Sequence, residues 1–243
     1  LIGWRGSLAA LGIINFAFGF LFASLWREPA HSAVERIQAK SAGEAPPLDV
    51  WALLPISCAT TIYLIGQMVL ITYVPLYLKD EMEASPYWAS QALALTQAGA
   101  MIGRVGWGIA SDRFFGGRRK IVLIVIGATS VALIAALSFM DRDSSYFLLL
   151  PVLFLAGVSL VGYQGVSYAL IGEISGKART GAGLGMMITT NSAAATLGTP
   201  IFGYIVDRTN SYTFAWQLLA AAITCGVIAV ALLLKEPRVE GPS

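Results

Sequence analysis

Apolar residues run along this chain in seven long blocks, at roughly 5–26, 51–78, 88–111, 120–140, 146–170, 181–205 and 213–234, with short polar stretches between them. Each block matches the roughly 20 residues that a helix needs to cross a hydrocarbon layer. Strands of a membrane barrel would be about half as long and polar at every second position. The pattern predicts an all-α, polytopic membrane protein with seven transmembrane helices, because only helices and closed barrels satisfy their own backbone polar groups in lipid.

Composition agrees independently. Of 243 residues, 56% are hydrophobic and 12% charged, and the mean hydropathy is +0.70. Soluble domains carry about 25% charged residues. A net charge of +2 is too small to imply a nucleic-acid partner. Cys58 and Cys225 both lie in apolar runs and are expected to be small buried hydrophobes, so no disulfide or metal framework is expected. The first block is too long for a signal peptide and lacks its basic start and small-residue cleavage site. A chain that begins at Leu1 is expected to belong to a longer one.

The basic residues orient the helices. With the 27–50 loop on the cytoplasmic side, that side collects Arg27, Arg36, Lys40, Arg113, Arg118, Arg119, Lys120, Lys177, Arg179, Lys235 and Arg238, and the other side only Arg5, Lys79, Arg142 and Arg208. The bias of eleven to four follows the positive-inside rule. Trp26, Trp51 and Trp107 are expected near one interface, and Trp4, Trp88 and Trp216 near the other. Residues 32–40 of the long loop could form a short surface helix or a flexible connector. A weak repeat links the first and last runs: Glu28-Pro29 and Glu236-Pro237 each lie 24 residues past an entry aromatic, Trp4 and Tyr212. Two equivalent helices, each closing a repeat, would explain it.

The most specific local feature is the stretch from Gly108 to Lys120, G-I-A-S-D-R-F-F-G-G-R-R-K, between the third and fourth runs. It resembles the signature cytoplasmic loop of the major facilitator superfamily, G-x-x-x-D-R-x-G-R-R, with Phe114 and Phe115 where one residue is usual. The resemblance extends over essentially the whole chain. It implies helix 6 and the C-terminal half of such a transporter: 1–26 as the last helix of the N-terminal six-helix bundle, 27–50 as the cytoplasmic central loop and 51–243 as the C-terminal bundle. The partners it implies are a small-molecule substrate, membrane lipid and the N-terminal helices of the same transporter. The full-length chain is expected to be monomeric and to sit in the cytoplasmic (cell) membrane. No cofactor and no enzymatic activity are expected.

In that family the loop is associated with the inner gate. Gly108, Asp112, Arg113, Gly116, Arg118 and Arg119 are therefore gate candidates. Gly108 is expected to allow close helix approach, and Gly116 and Gly117 a tight turn. Glu173 and Arg179, which flank the loop before the sixth run, are placed to pair with this loop. Plain topology for the basic residues, and an ordinary solvated surface for Glu173 and Arg179, are the competing readings.

Polar residues inside the runs are the candidates for solute contact. Arg104 lies eight residues before Asp112, about 12 Å along a helix, and should face protein or a water-filled cavity. It is either an anchor for an anionic solute or a structural arginine near the cytoplasmic end. Gln97 precedes it on the same face. Tyr63 with Gln67, Tyr163 with Gln164, and Asn191 with Thr189 and Thr190 complete the set, with interhelical hydrogen bonding as the alternative. Gly157, Gly162, Gly165, Gly198, Pro200 and Gly203 are expected at packing and bending sites. No Asp or Glu lies in mid-span, and the sole histidine is His31 in the loop. Any proton-coupling acid is thus expected in the other half, unless the protein is an exchanger or uniporter. Transport of a small organic anion by alternating access is the favoured function. A drug-type exporter of amphiphiles and a non-transporting membrane sensor remain as alternatives.

Overall fold

The structure is a computed structural model that describes residues 3–26, 47–141, 144–176 and 178–234. All regular structure among them is helical. Residues 1–44 and 45–243 form two separate units.

The first unit contains helix α1, Trp4–Leu25, 22 residues long. At 1.5 Å per residue it is about 33 Å long, enough to cross a bilayer. Phe22 stacks on Trp26, with centroids 5.0 Å apart, at its end. Most of the 27–50 loop, its possible short helix at 32–40, and both Glu-Pro pairs lie outside the described residues.

The second unit is a bundle of α2 (Val50–Asp80), α3 (Pro86–Phe114), α4 (Arg119–Ser138), α5 (Tyr146–Ala156), α6 (Gln164–Ser175), α7 (Thr180–Thr209) and α8 (Tyr212–Leu233). A π-helical turn, Gly157–Val161, joins α5 to α6, so that the two make one span. The described residues thus contain seven spanning-length helical stretches, and they track the seven apolar runs. Five are both long and apolar enough to cross a membrane. The other two, α3 and α7, are 29 and 30 residues long but less apolar. Both are dotted with Gly, Ser and Thr, with Gln in α3 and Asn in α7. That composition suits helices with one face on packed neighbours and another on water.

Helix α2 is central, packing against α3, α6, α7 and α8, while α4 packs most extensively on α8. Asp49 caps α2 by accepting from the Ala52 N–H at 3.0 Å. Ile56, Tyr63, Leu70 and Tyr77 recur every seven residues along its buried face. Among the described residues no charged side chain is buried in the core, and its buried polar groups are Ser, Thr, Gln and Asn.

Loops alternate between the two ends of this bundle, as six successive spans require. One end gathers Asp80, Met82, Met140, Tyr146 and Tyr212. The Tyr212 hydroxyl donates to Asp80 Oδ2 at 2.9 Å, and Tyr77 donates to the Met140 carbonyl at 2.5 Å. The opposite end gathers Asp112, Arg119, Lys120, Glu173 and Leu234.

Two expectations need correction. Cys58 and Cys225 are exposed on the bundle surface, not buried. Apolar runs give no facing information when lipid makes the outer surface as apolar as the core. Trp216 is fully buried and the half-buried Trp107 indole is turned against the π turn, so both pack within the bundle.

Candidate functional site

The α3–α5 seam fixes where the polar residues of α6 stand. Gly99 and Gly103 on α3 face Gly157 and Gly162 across it. A Cβ on Gly99 would meet the Phe154 carbonyl, and one on Gly103 the Val158 carbonyl. A Cβ on Gly157 would meet the Thr96 carbonyl. The backbones touch because none of the four carries a side chain. At the π turn the Gly162 N–H bonds to the Gly157 carbonyl at 3.1 Å, which releases the Val158 carbonyl from its helical partner. The Trp107 indole N–H takes that carbonyl at 2.8 Å.

Beyond the turn, Tyr163 and Gln164 join a polar cluster with α2 and α7. The Tyr163 hydroxyl donates to the Thr60 carbonyl at 3.3 Å, and the Tyr63 hydroxyl to the Leu123 carbonyl at 3.2 Å. The two rings meet edge to face at 5.4 Å. Both tyrosines are buried, and their hydroxyls tie helices together. Gln164 Nε2 donates to Gln67 Oε1 at 3.5 Å. Thr61 donates to Asn191 Oδ1 at 2.7 Å, with the Thr60 hydroxyl 3.4 Å from the same oxygen. Gln67 and Asn191 are only 4% and 5% exposed. Thr189 and Thr190 instead bond back to the Gly185 and Met186 carbonyls on the exposed side of α7.

Gln97 and Arg104 stand apart from this cluster. They share one exposed stripe of α3, and among the described residues no hydrogen bond joins either to Gln67, Gln164 or Asn191. The Arg104 carbonyl lies against Gly165, so its backbone is fixed by the same seam. A groove of about 490 Å³ between Leu95, Phe147, Leu150, Pro151 and Phe154 contains no polar side chain. It suits lipid chains, not a polar solute.

At the end of the bundle, α3 continues to Phe114, so Asp112 and Arg113 belong to its last turn. The connection is only Phe115–Arg118, with Gly116 and Gly117 at φ +58° and +76°, a region open to glycine. Gly117 N–H returns to the Ser111 carbonyl at 2.9 Å, closing the helix in the usual glycine-ended manner. Phe115 folds onto the core while Phe114 is 81% exposed. Arg119 is the hub. Its Nε lies 2.5 Å from Glu173 Oε1, and its Nη2 lies 3.8 Å from Asp112 Oδ1. One guanidinium thereby links the ends of α3 and α6 to the start of α4. Lys120 Nζ donates to the Leu234 carbonyl at 2.7 Å, adding the end of α8. Arg113 and Arg118 are exposed, and Arg179 precedes the first turn of α7. Gly108 has open space where a Cβ would stand, so close helix approach is not its role within this unit. That role belongs to Gly99 and Gly103, whose four-residue spacing carried the signal. Nothing in the sequence pointed to Thr61 or to the π turn.

Residues 56–243 match the Major Facilitator Superfamily. The chain belongs to that superfamily. Its members are transporters, not enzymes, and the chain is a multi-pass membrane protein. Among curated superfamily proteins, it is 26% identical over 264 residues to the probable sulfoacetate transporter SauU of Cupriavidus necator, covering 99% of this chain and 60% of that protein. It is 27% identical over 187 residues to an uncharacterized MFS-type transporter of Mycobacterium tuberculosis, with 76% and 41% coverage. Monocarboxylate transporter 13 of Rattus norvegicus is 26% identical over 168 residues, with 69% and 38% coverage. The chain thus spans about 40–60% of the length of these superfamily relatives. The structure of the E. coli fucose:proton symporter FucP superposes with a TM-score of 0.65 at 16% identity, over 96% of this chain and 55% of that one. At that identity the likeness establishes the facilitator fold alone.

Proposed function

We propose that this chain forms the C-terminal half, with helix 6, of a secondary transporter that moves a small organic anion across the cytoplasmic membrane by alternating access. The observation that carries the anion reading is Arg104: a permanent cation in mid-helix, on an exposed stripe with Gln97. A guanidinium facing lipid is costly, so that stripe faces a water-filled path between the two halves. There it offers a two-pronged contact to a carboxylate or sulfonate. Two of the superfamily relatives bear names of organic-anion transporters, for sulfoacetate and for monocarboxylates, which supports the same class. The solute would lie between Arg104 on one side and Gln67, Gln164 and Asn191 on the other. The Arg119 hub with Asp112 and Glu173 would hold the inner gate in one of its two states.

Solute binding to the detergent-solubilised full-length protein tests this reading without requiring a transport cycle. Arg104→Gln is expected to abolish binding of the anion, and Arg104→Lys to restore it only in part, since lysine keeps the charge but not the fork. Undiminished binding in Arg104→Gln would contradict the anchor role.

A further inference from the structure

The amides of the polar cluster have their oxygens and nitrogens sorted. Asn191 is 5% exposed, its Oδ1 accepts from Thr61, and no described residue pairs with its Nδ2. That nitrogen is also absent from the buried atoms that lack a partner, so it retains access to the space beyond the helix. The opposite orientation of the amide would leave the Thr61 hydroxyl hydrogen without an acceptor. Thr60, its neighbour, is the residue that reaches back to the Ile56 and Ser57 carbonyls, at 2.9 and 3.1 Å. Thr61 makes no such bond, and its one hydrogen goes to Asn191. The Gln67–Gln164 pair is balanced between donors and acceptors whichever way the two amides face, so the surplus rests on Asn191. Two primary amides carry four N–H groups and two oxygens. Their single mutual bond at 3.5 Å leaves three N–H groups and, at two lone pairs per oxygen, three acceptor sites, whereas both lone pairs of Asn191 Oδ1 face the Thr60 and Thr61 hydroxyls and leave only its N–H₂ group over. The tyrosine hydroxyls next to them already donate to the Thr60 and Leu123 carbonyls.

We propose that Thr61 is a positioning residue that locks Asn191 with its N–H₂ group outward, giving this wall a surplus of hydrogen-bond donors and so selecting solutes whose acid group presents only acceptors. This rests on the organic-anion reading and sharpens it. Carboxylate and sulfonate oxygens accept and never donate, whereas a carboxamide of the same shape would meet the wall N–H to N–H. Discrimination by a group left unpaired in a tight site is far stronger than discrimination by size. The function of Thr61 is indirect: it touches the amide, and the amide touches the solute.

The experiment measures binding of sulfoacetate, lactate and its neutral isostere lactamide to the full-length protein in detergent, for the unmodified protein, Thr61→Val, Thr61→Ser and Asn191→Asp. The unmodified protein is expected to prefer lactate to lactamide. Asn191→Asp keeps the oxygen that Thr61 needs and removes the donors, so acid affinity should fall by about tenfold or more. Thr61→Val frees the amide to rotate, so the preference for lactate over lactamide should shrink by about threefold to tenfold, and Thr61→Ser should restore it. A merely structural Thr61 would lower yield or stability while leaving that ratio unchanged, and this outcome overturns the proposal. If the unmodified protein binds neither acid, the organic-anion reading fails, and the selection of an acceptor-only head group fails with it. If it binds an acid and all variants keep the same ratio, only the lock is wrong.

Discussion

The indole N–H of Trp107 donates to the main-chain carbonyl of Val158, 51 residues away, at 2.8 Å. That carbonyl is free because the π turn at Gly157–Val161 shifts the next hydrogen bond by one residue. Trp107 therefore stabilises an irregularity that would otherwise leave a polar group unpaired inside a membrane span. The irregularity directly precedes Tyr163 and Gln164 and sets their angular position on α6.

Trp107→Phe keeps the ring and removes the donor. It is expected to destabilise the protein by about 0.6–1.7 kcal/mol, the range measured for hydrogen bonds between membrane helices. The thermal unfolding midpoint in detergent, compared with the unmodified protein, checks it. An unchanged midpoint would mean that water or lipid replaces the indole at no cost.

Two glycines three residues apart on α3 should respond oppositely to one methyl group. A Cβ at Gly103 meets the Val158 backbone, which cannot yield as a side chain can, whereas nothing lies within 4 Å of a Cβ at Gly106. Gly103→Ala is expected to cost about 1–3 kcal/mol through overpacking, and Gly106→Ala to be tolerated. Equal melting behaviour of the two variants would show that the α3–α5 seam is looser than described.

Topology can be read from one exposed ring. Phe114 is 81% exposed beside the Arg119 hub. In a background lacking Cys58 and Cys225, both exposed and both reactive in principle, a cysteine at 114 should be labelled by an impermeant thiol reagent only after the cytoplasmic side is opened. Labelling in intact cells would invert the proposed orientation.

Arg119 holds Glu173 at 2.5 Å and Asp112 at 3.8 Å. If the pair helps to close one end of the path, Glu173→Gln and Asp112→Asn should each lower transport at equal protein amounts, with Glu173→Gln the larger effect. A shift of roughly 1–3 kcal/mol between the two gate states is the scale expected for such coupling. Stability should hardly change, because Asp112 is largely exposed and such ion pairs contribute little to folding. Full transport in both variants would reduce these residues to topology.

The sequence made the helices legible because lipid requires long apolar runs, and each run became one spanning stretch. Helix ends were less legible. Helix α3 runs three residues past the apolar block because Asp112, Arg113 and Phe114 continue its last turn outside the hydrophobic layer. The facing of residues was the hardest to extract. Gln67 and Asn191 were recognisable as polar groups in spans, and so were Tyr63 and Tyr163. Yet the hydroxyls of the tyrosines bond helix to helix while the amides keep free N–H groups. That division depends on rotation of α6 past the π turn, and a run of Gly, Val, Ser and Leu gives no sign of one. The glycine seam was half visible: Gly157 and Gly162 were expected at packing sites, whereas Gly99 and Gly103 were not singled out, although they share the four-residue spacing of close-packed membrane helices.

Whether the intact protein moves an organic acid tests the organic-anion reading most directly. Full-length protein in liposomes, preloaded with unlabelled sulfoacetate or lactate and placed in the radiolabelled acid, should exchange label inward. Excess carboxylate should compete, neutral lactamide should not, and Arg104→Gln should abolish the exchange. Exchange or efflux of amphiphilic cations, with no acid exchange in the same liposomes, would contradict it and leave the polar wall serving a different cargo.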